Sequence, residues 1–154
     1  MEAQQKDEPF AYLSEVELNG WDGVRPLIVF DGVCLLCSAF IFWVIARDKD
    51  QVFLFTSAQS ALGQSFYKYL NMDLHEFERN LVIVDGRGHQ KMATVFAVCR
   101  VVGGPWRLIM LFEWLPRFVL DRLYDFIRRH RFAWFGRREV CLVPDDDIQA
   151  RFIL

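Results

Sequence analysis

The sequence predicts a single α/β domain built on an open sheet and followed by a helical C-terminal extension. Short apolar runs of strand length alternate with longer apolar runs of helix length through the first two thirds of the chain. The chain has 154 residues, 53% of them hydrophobic and 16% aromatic, which gives it the size of one domain and enough apolar side chains for a large core. The predicted order of elements is β-α-β-α-β-β-α.

Three apolar runs predict the first half of this order. Residues 1–25 show no sustained periodicity and predict a loosely docked N-terminal arm. The run LIVF follows Pro26 and precedes Asp-Gly, which predicts a short strand buried on both faces. The next apolar run is too long for a strand and predicts a buried helix over 34–47, and QVFLF at 51–55 predicts a second buried strand.

Turn and cap signals predict the elements that follow. The stretch SAQSALGQSFYKYL, residues 57–70, predicts a helix with Ser57 as its N-cap. LVIVD at 81–85 and the glycine-rich turn GRGH at 86–89 predict a hairpin, with its second strand beginning at the QKM that follows.

The last helix of the core defines the predicted domain organisation. TVFAVCRVV at 94–102 predicts a helix that Gly103 and the next glycine close. We therefore divide the chain into the N-terminal arm at 1–25, a core at 26–104, and a helical extension at 105–154 that packs on the same domain.

Composition at the N-terminus bears on location. The stretch MEAQQKDEPF has neither the basic nor the apolar region of an export signal, so we expect a cytoplasmic protein. No run of 18 or more apolar residues is present, so no bilayer span is expected. Because the cytoplasm keeps thiols reduced, a CxxC motif there is more typical of a catalytic or metal site than of a structural cross-link.

The stretch VFDGVCLLC carries the chemistry that the sequence predicts most clearly. Cys34 and Cys37 lie where the first strand ends and its helix begins, at the edge of an open sheet where ligands commonly bind. A helix N-terminus favours a thiolate through its free amides and dipole. We therefore expect Cys34 to be the solvent-accessible nucleophile and Cys37, one turn inside the helix, to be the resolving thiol. Two packed apolar cysteines remain the alternative.

Asp31 admits two roles. As an N-cap it would accept the amide of Val33 or Cys34 and fix the turn that presents the thiol. Alternatively, it would accept the proton of Cys37 when a disulfide closes. The two roles are compatible.

The chain resembles the DCC family in several segments. Asp31, Cys34 and Cys37 in DGVCLLC are similar to the Asp-Cys-Cys signature of that family, which is described as thiol-disulfide oxidoreductases with a thioredoxin-like fold. The likeness extends over about residues 26–153 and includes GGPWRLI, LPRFVLDRLYDFIRRHRFAWFGRR and the CLVP segment at Cys141. The resemblance implies a thioredoxin-like open sheet and a dithiol-disulfide exchange activity.

Two departures from related patterns matter. Where members of the DCC family commonly carry a Ser-Asp-Ala-like element, this chain has Met92-Ala93-Thr94, which leaves Thr94 a role as a helix cap. Where a thioredoxin has its cis-proline, this chain has Asn80. That proline loop normally lines the substrate groove and keeps metals off the dithiol, so its absence leaves metal binding open.

A metal site would need more ligands than the CxxC supplies. A closed structural zinc site needs two further ligands, but Cys99 and Cys141 are isolated cysteines far downstream. We expect Cys99 to be buried in its helix and Cys141 to be a packed or surface thiol, with a resolving or regulatory role as the alternative. His75, His89 and His130 match no ligand spacing with one another, so we expect solvated or capping roles for them.

The C-terminal extension is basic and aromatic. Residues 100–139 contain nine arginines against four acids, whereas residues 1–26 contain six acids against two basic residues. One interpretation is a helix packed on the domain through one apolar face, namely Val119, Leu120, Leu123, Phe126 and Ile127. The other is a membrane-surface or partner-protein patch within 105–138 that includes Trp106, Trp114, Phe118, Trp134 and Phe135, with Arg128 and Arg129 among its basic residues.

The sequence therefore predicts a thiol-disulfide oxidoreductase with Cys34, Cys37 and Asp31 as its catalytic residues. The expected partner is a disulfide-containing protein or a low-molecular-weight thiol, and no cofactor is expected. Nucleic acid is not expected, because the isoelectric point is near 5.9 and no binding motif is present. The alternative function is a metal-binding, redox-sensing or partner-recruiting module that uses the CxxC and the basic aromatic extension.

Overall fold

The fold is a mixed α/β structure around an open sheet. The computed structural model describes residues 10–14, 16–18, 20–72, 80–137 and 144–153. In these residues four strands have the spatial order β2-β1-β3-β4, with bounds β1 Leu27–Phe30, β2 Leu54–Ser57, β3 Leu81–Val84 and β4 Arg87–Gln90. β1 is parallel to β2 and antiparallel to β3, and β4 is antiparallel to β3. This topology confirms the predicted open sheet and agrees with a thioredoxin-like fold.

Helices cover the sheet and extend beyond it. The α-helices are α1 Leu35–Arg47, α2 Ala61–Tyr69, α3 Met92–Val102 and α4 Arg117–Phe135. The described residues also form 3₁₀ segments at Ala11–Ser14, Gly104–Trp114 and Gln149–Arg151. The predicted order β-α-β-α-β-β-α therefore holds through α3, although the first part of the predicted extension is 3₁₀ rather than α-helical.

The sheet is buried on both faces because side chains of β1 alternate between two cores. Leu27 and Val29 belong to a core that α2 covers. Ile28 and Phe30 belong to a second core that α1 and α3 cover. All four β1 side chains are buried, as the continuous apolar run predicted.

The second strand begins later than the sequence suggested. We predicted a strand over 51–55, whereas β2 begins at Leu54. The carboxylate of Asp48 accepts the amides of Val52 and Phe53 at 3.0 and 2.9 Å, which keeps these two residues in the turn after α1. The prediction missed this because the apolar pattern does not show where a side chain captures the backbone.

Two capping and turn predictions were also wrong. Ser57 is the last residue of β2, and Ser60 is the N-cap of α2, with its hydroxyl accepting the amide of Gly63 at 3.0 Å. The hairpin turns at Asp85 and Gly86, both with positive φ, so the predicted turn residues after Gly86 form β4. A two-residue turn with two positive φ angles matches the twist of paired strands.

The described part of the N-terminal arm is packed rather than loosely docked. Tyr12, Val16 and Trp21 are buried in the core that α2 covers. The rings of Tyr12 and Trp21 lie 5.5 Å apart, and each lies 5.6 Å from the ring of Phe66. These aromatic residues are spaced irregularly along the chain, so they produced no periodic signal.

The far end of the chain returns to the free edge of β2. Phe152 forms a parallel bridge with Phe55, and the amide of Ile153 donates to the carbonyl of Phe55 at 2.8 Å. The buried guanidinium of Arg151 pairs with the carboxylate of Asp48. This segment therefore covers a strand edge that would otherwise present unpaired backbone groups.

Helix α4 packs on the domain through an unexpected stripe. Of the five apolar residues predicted to face the core, Leu120 is buried and Ile127 is half-buried, whereas Val119, Leu123 and Phe126 are exposed. Arg131 is the other buried residue of the helix. Within the described residues no helix, this one included, combines the length and apolar character that crossing a bilayer requires.

Gly63 allows α2 to approach the loop after β2, and this contact gives a stability prediction. A Cβ added at Gly63 would lie 2.2 Å from the carbonyl oxygen of Ser57 and 2.8 Å from the Cα of Ala58, so backbone would have to move. We expect Gly63→Ala to lower the free energy of unfolding by about 1–3 kcal/mol, the usual cost of overpacking. Chemical denaturation measures this loss. Gln64→Ala, at the exposed neighbouring position, is the control and should cost much less; equal losses would contradict the packing argument.

Candidate active site

The CxxC motif bridges the end of β1 and the start of α1. Cys34 is the N-cap residue of α1, and its sulfur accepts the backbone amide of Cys37 at 3.4 Å. The carbonyl of Cys34 also accepts the amide and hydroxyl of Ser38, each at 3.0 Å. The thiol thus satisfies an otherwise free amide of the first helical turn, in the position that favours its ionised form.

The two thiols have pKa values shifted in opposite directions. The pKa of Cys34 falls from 9.0 to about 6, chiefly because the thiol of Cys37 donates a hydrogen bond to its sulfur. The amide of Cys37 and the charge of Arg131 lower it further, against burial and the charge of Asp31. The pKa of Cys37 is raised, because its proton is held in the hydrogen bond to Cys34 and because it is buried. At neutral pH one sulfur is therefore a thiolate and the other a thiol.

Cys34 is not solvent-accessible, which corrects the expectation from the sequence. Its exposed fraction is 0%, and Cys37 is also buried. The backbone of Cys34 forms an isolated antiparallel bridge with Arg137, just beyond α4. A Cβ built on Gly136 would lie 3.2 Å from the side chain of Leu35, so the end of α4 covers the start of α1 closely. This cover comes from a segment about a hundred residues away, which local spacing could not indicate.

Asp31 organises the loop before the helix. Its exposed fraction is 2%, and Oδ1 accepts the amide of Val33 at 3.1 Å and the amide side chain of Gln59 at 2.8 Å. The other carboxylate oxygen lies 3.6 Å from a guanidinium nitrogen of Arg131. Asp31 thus accepts the Val33 amide as the sequence suggested, but the N-cap itself is Cys34.

Polar side chains from two distant segments surround the sulfur of Cys37. The thiol of Cys37 lies 3.7 Å from Oδ1 of Asn80 and 3.8 Å from Nη1 of Arg131. Since a neighbouring nitrogen of the same guanidinium faces Asp31, Arg131 places one positive charge between the carboxylate and the dithiol.

Asn80 is itself fixed by two elements. Its backbone amide donates to the hydroxyl of Tyr124 at 3.3 Å, and its backbone carbonyl accepts the hydroxyl of Thr94 at 3.5 Å. Thr94 also donates to the carbonyl of His89 at 3.1 Å, so it joins α3 to the hairpin and is not the helix cap that we predicted. The N-cap of α3 is Lys91, which makes no side-chain capping bond.

Sequence reasoning missed Gln59, Arg131 and Tyr124 as residues of the site. Gln59 follows a strand and carries no motif. Leu120, Tyr124 and Arg131 are spaced four and seven residues apart, which puts them on one side of a helix. The signal that could have identified Arg131 is its position on the same side of the helix as Leu120, where a polar side chain needs a buried partner.

Of the remaining cysteines and histidines, Cys99, His89 and His130 lie in the described part of the chain. Cys99 is buried in α3, as predicted, and burial raises the pKa of its thiol. Cys141 and His75 lie outside the described residues. His130 bonds through Nδ1 to the carbonyl of Phe126 at 2.8 Å. Across the part of the chain that the structure describes, no cluster of three or more Cys, His, Asp or Glu side chains could hold a metal ion.

Comparison with known proteins gives consistent matches over most of the chain. A family model described as DCC1-like thiol-disulfide oxidoreductase matches residues 28–137. Uncharacterized protein YuxK of Bacillus subtilis (strain 168) is 39% identical over 127 residues, covering 82% of this chain and 93% of the relative. The chloroplastic DCC family protein At1g52590 of Arabidopsis thaliana is 27% identical over 118 residues, covering 76% and 69%. No solved structure matches.

The position of Arg131 gives a prediction about Cys34. We expect Arg131→Gln to raise the pKa of Cys34 by about one unit or more, because an opposite charge close to an acid lowers its pKa by that amount. Thiolate absorbance in the ultraviolet, titrated with pH, measures the change. Arg129→Gln, an exposed arginine on the same helix, is the matched control and should leave the pKa in place.

The same variant leaves Asp31 buried without its counter-charge. We expect its free energy of unfolding to fall by about 3–5 kcal/mol. Should Arg131→Gln not fold, the double variant Asp31→Asn with Arg131→Gln removes both charges and should recover much of the stability. An unchanged pKa in a folded Arg131→Gln protein would disprove the electrostatic role.

Proposed function

The chain belongs to the DCC1-like thiol-disulfide oxidoreductase family, and we propose that it exchanges a dithiol for a disulfide through Cys34 and Cys37. The observation that carries the proposal is the placement of the two thiols: Cys34 caps α1 with its sulfur 3.4 Å from the amide of Cys37, and this arrangement shifts their pKa values in opposite directions. A low pKa supplies an attacking thiolate at neutral pH, and a high pKa keeps its neighbour protonated until it is needed.

In the first step the Cys34 thiolate attacks a disulfide of the partner. A bond forms between the Cys34 sulfur and one partner sulfur while the partner S–S bond breaks. The displaced sulfur leaves as a thiolate and takes a proton from water. The mixed disulfide removes the negative charge of Cys34, and with it a main cause of the raised pKa of Cys37.

In the second step Cys37 loses its proton and attacks the sulfur of Cys34. The intramolecular disulfide forms, and the second partner sulfur leaves as a thiolate. Two electrons pass from the protein to the partner disulfide. Cys37 suits this step because it lies one helical turn from Cys34, with its amide within 3.4 Å of that sulfur.

We assign two roles to Asp31. It holds the loop through the amide of Val33 and positions Arg131, and it accepts the proton of Cys37 in the second step. Arg131, whose guanidinium contacts both Asp31 and Cys37, stays a cation and holds the carboxylate beside the dithiol. The proton passes from Cys37 to Asp31 through water that enters when the cover over Cys34 opens. Because Cys34 is fully buried, the backbone near Arg137 must move aside before a partner can react.

The proposed partner is a disulfide or thiol carried by a protein or by a small molecule. Burial of the nucleophile favours a partner that can displace the covering segment or enter while it is open. A small-molecule disulfide and a protein disulfide, compared at equal concentration, distinguish these two routes by their relative rates.

Serine variants test the division of roles between the two thiols. Cys37→Ser keeps the attack but removes the resolving sulfur, so we expect it to accumulate about one mixed disulfide per chain. Cys34→Ser should trap none and should show no exchange activity. Intact-protein mass spectrometry after incubation with a disulfide measures both outcomes.

Cys99→Ser is the matched control, because Cys99 is buried in α3 and takes no part in the proposed exchange. It should behave like the unaltered protein. Equal trapping by the Cys34 and Cys37 variants would reverse or abolish the assigned roles, and a folded protein in which neither sulfur reacts would rule out the exchange function.

Asp31→Asn separates the two roles of Asp31. The amide side chain keeps an acceptor for Val33 but removes both the base and the charge that pairs with buried Arg131. We therefore expect the protein to fold with a free energy of unfolding lower by about 3–5 kcal/mol, and release of the partner from the mixed disulfide to slow about a hundredfold. The pKa of Cys34 should fall further below its ordinary value, because the charge of Asp31 raises it. Stopped-flow measurement of the two steps separates attack from resolution.

Asp31→Ala is the comparison, since it removes both the acceptor and the base. If the Asn and Ala variants lose stability and resolution rate in equal proportion, Asp31 acts through structure alone and the proton role is wrong.

A further inference from the structure

The outer surface of the C-terminal region carries two exposed apolar rows. In the 3₁₀ segment Gly104–Trp114, residues three apart share one edge, and Leu108, Leu111 and Trp114 are each more than 60% exposed. On α4, four exposed apolar residues lie on one stripe: Val119, Leu123, Phe126 and Trp134. The last three follow Val119 by four, seven and fifteen residues, which puts all four on one side of the helix. The two rows are consecutive along the chain, with only Leu115 and Pro116 between the 3₁₀ segment and α4, and we call the exposed residues of 104–135 the outer face.

This face is not an unfilled part of the core. Helix α4 already packs inward through the stripe that contains Leu120 and Arg131. Trp106, which the sequence placed in the patch, packs edge-to-face on Trp43 at 4.9 Å between centroids, with the guanidinium of Arg47 4.7 Å from both rings. These contacts anchor the 3₁₀ segment and leave its other edge exposed.

The face is positively charged, since residues 104–135 contain six arginines against three acids. The three acids of 104–135 each face a cation, in the pairs Glu113–Arg100, Asp121–Lys91 and Asp125–Arg128. Four exposed arginines, by contrast, make no ion pair with any described residue: Arg107, Arg117, Arg122 and Arg129. Arg122 and Arg129 lie seven residues apart beside the apolar stripe of α4.

We propose that the outer face binds an anionic lipid surface. Exposed tryptophan, phenylalanine and leucine side chains beside unpaired arginines supply the two signals that peripheral membrane binding needs, apolar insertion and attraction to anionic headgroups. A second copy of the chain fits less well. A two-fold symmetric interface would place this same positive face against itself and bring like charges together.

Lipid binding is independent of the thiol chemistry proposed above, so the two can fail separately. The test uses sedimentation of the full chain with vesicles of phosphatidylglycerol and phosphatidylcholine, and with vesicles of phosphatidylcholine alone. We expect binding to the anionic vesicles, release as salt rises, and a blue shift of tryptophan emission that Trp114→Phe reduces.

Two variants of the face and one control sharpen this test. Arg122→Glu with Arg129→Glu, and separately Leu111→Ser with Trp114→Ser, should each weaken binding by about tenfold or more. Lys49→Glu with Arg87→Glu makes the same change in net charge at exposed positions outside the face. This control should bind like the unaltered protein when the two are compared over the same series of salt concentrations. Thermal unfolding checks that all three remain folded.

Three outcomes would overturn the proposal. They are no sedimentation with anionic vesicles, equal sedimentation of the Arg122/Arg129 variant and the unaltered protein, and a concentration-dependent dimer that the Leu111/Trp114 variant abolishes. The last outcome would assign the face to a second copy of the chain, and the first, in a monomeric protein, would leave it to an acidic protein partner.

Discussion

The buried carboxylate of Asp31 is the constraint on which the rest of the site depends. Removing a carboxylate from water costs several kcal/mol unless a counter-charge and hydrogen bonds compensate it. Here the compensation comes from Val33, Gln59 and Arg131, so one side chain connects the end of β1, the loop after β2 and α4. Arg131 must then face inward, which rotates α4 so that much of its apolar surface faces outward. The guanidinium of Arg131 that pairs with Asp31 therefore also lowers the pKa of Cys34. The inward position of Arg131 leaves the apolar residues of the outer face exposed.

A single proton lies at the centre of the dithiol. The thiol of Cys37 has two acceptors within reach, the sulfur of Cys34 and Oδ1 of Asn80. Donation to Cys34 stabilises the thiolate, whereas donation to Asn80 leaves Cys34 without that hydrogen bond. The fixed position of Asn80, held by Tyr124 and Thr94, therefore influences how much of Cys34 is ionised. Asn80 occupies the position where a thioredoxin has its cis-proline. Its side-chain oxygen makes a polar contact with the Cys37 thiol that a proline ring could not make.

What the sequence predicted well depended on local signals. The apolar run of β1, the length of α1 and the CxxC between them are encoded within some twenty neighbouring residues, and their order alone placed Cys34 at a helix N-terminus. Predicted element boundaries were wrong where a side chain accepts hydrogen bonds from backbone amides, as Asp48 does before β2. The prediction of which side of α4 faces the core was wrong for a different reason. Burial of Arg131 is favourable only because it pairs with Asp31, a hundred residues earlier in the chain. Cys34 was predicted to be exposed to solvent because the segment that covers it, at Arg137, lies far along the chain.

The pairing of Ile153 with Phe55 has a consequence for synthesis of the chain. Strand β2 emerges from the ribosome long before the segment that bridges its edge, and the dithiol loop emerges before Arg131 and Arg137. Pairings this distant in sequence close late, because the loop entropy must be overcome first. During translation the two cysteines are therefore uncovered and lack the guanidinium that depresses the pKa of Cys34. In a newly made chain the burial of the two thiols and the charge of Arg131 are therefore added last, when the far end of the chain docks.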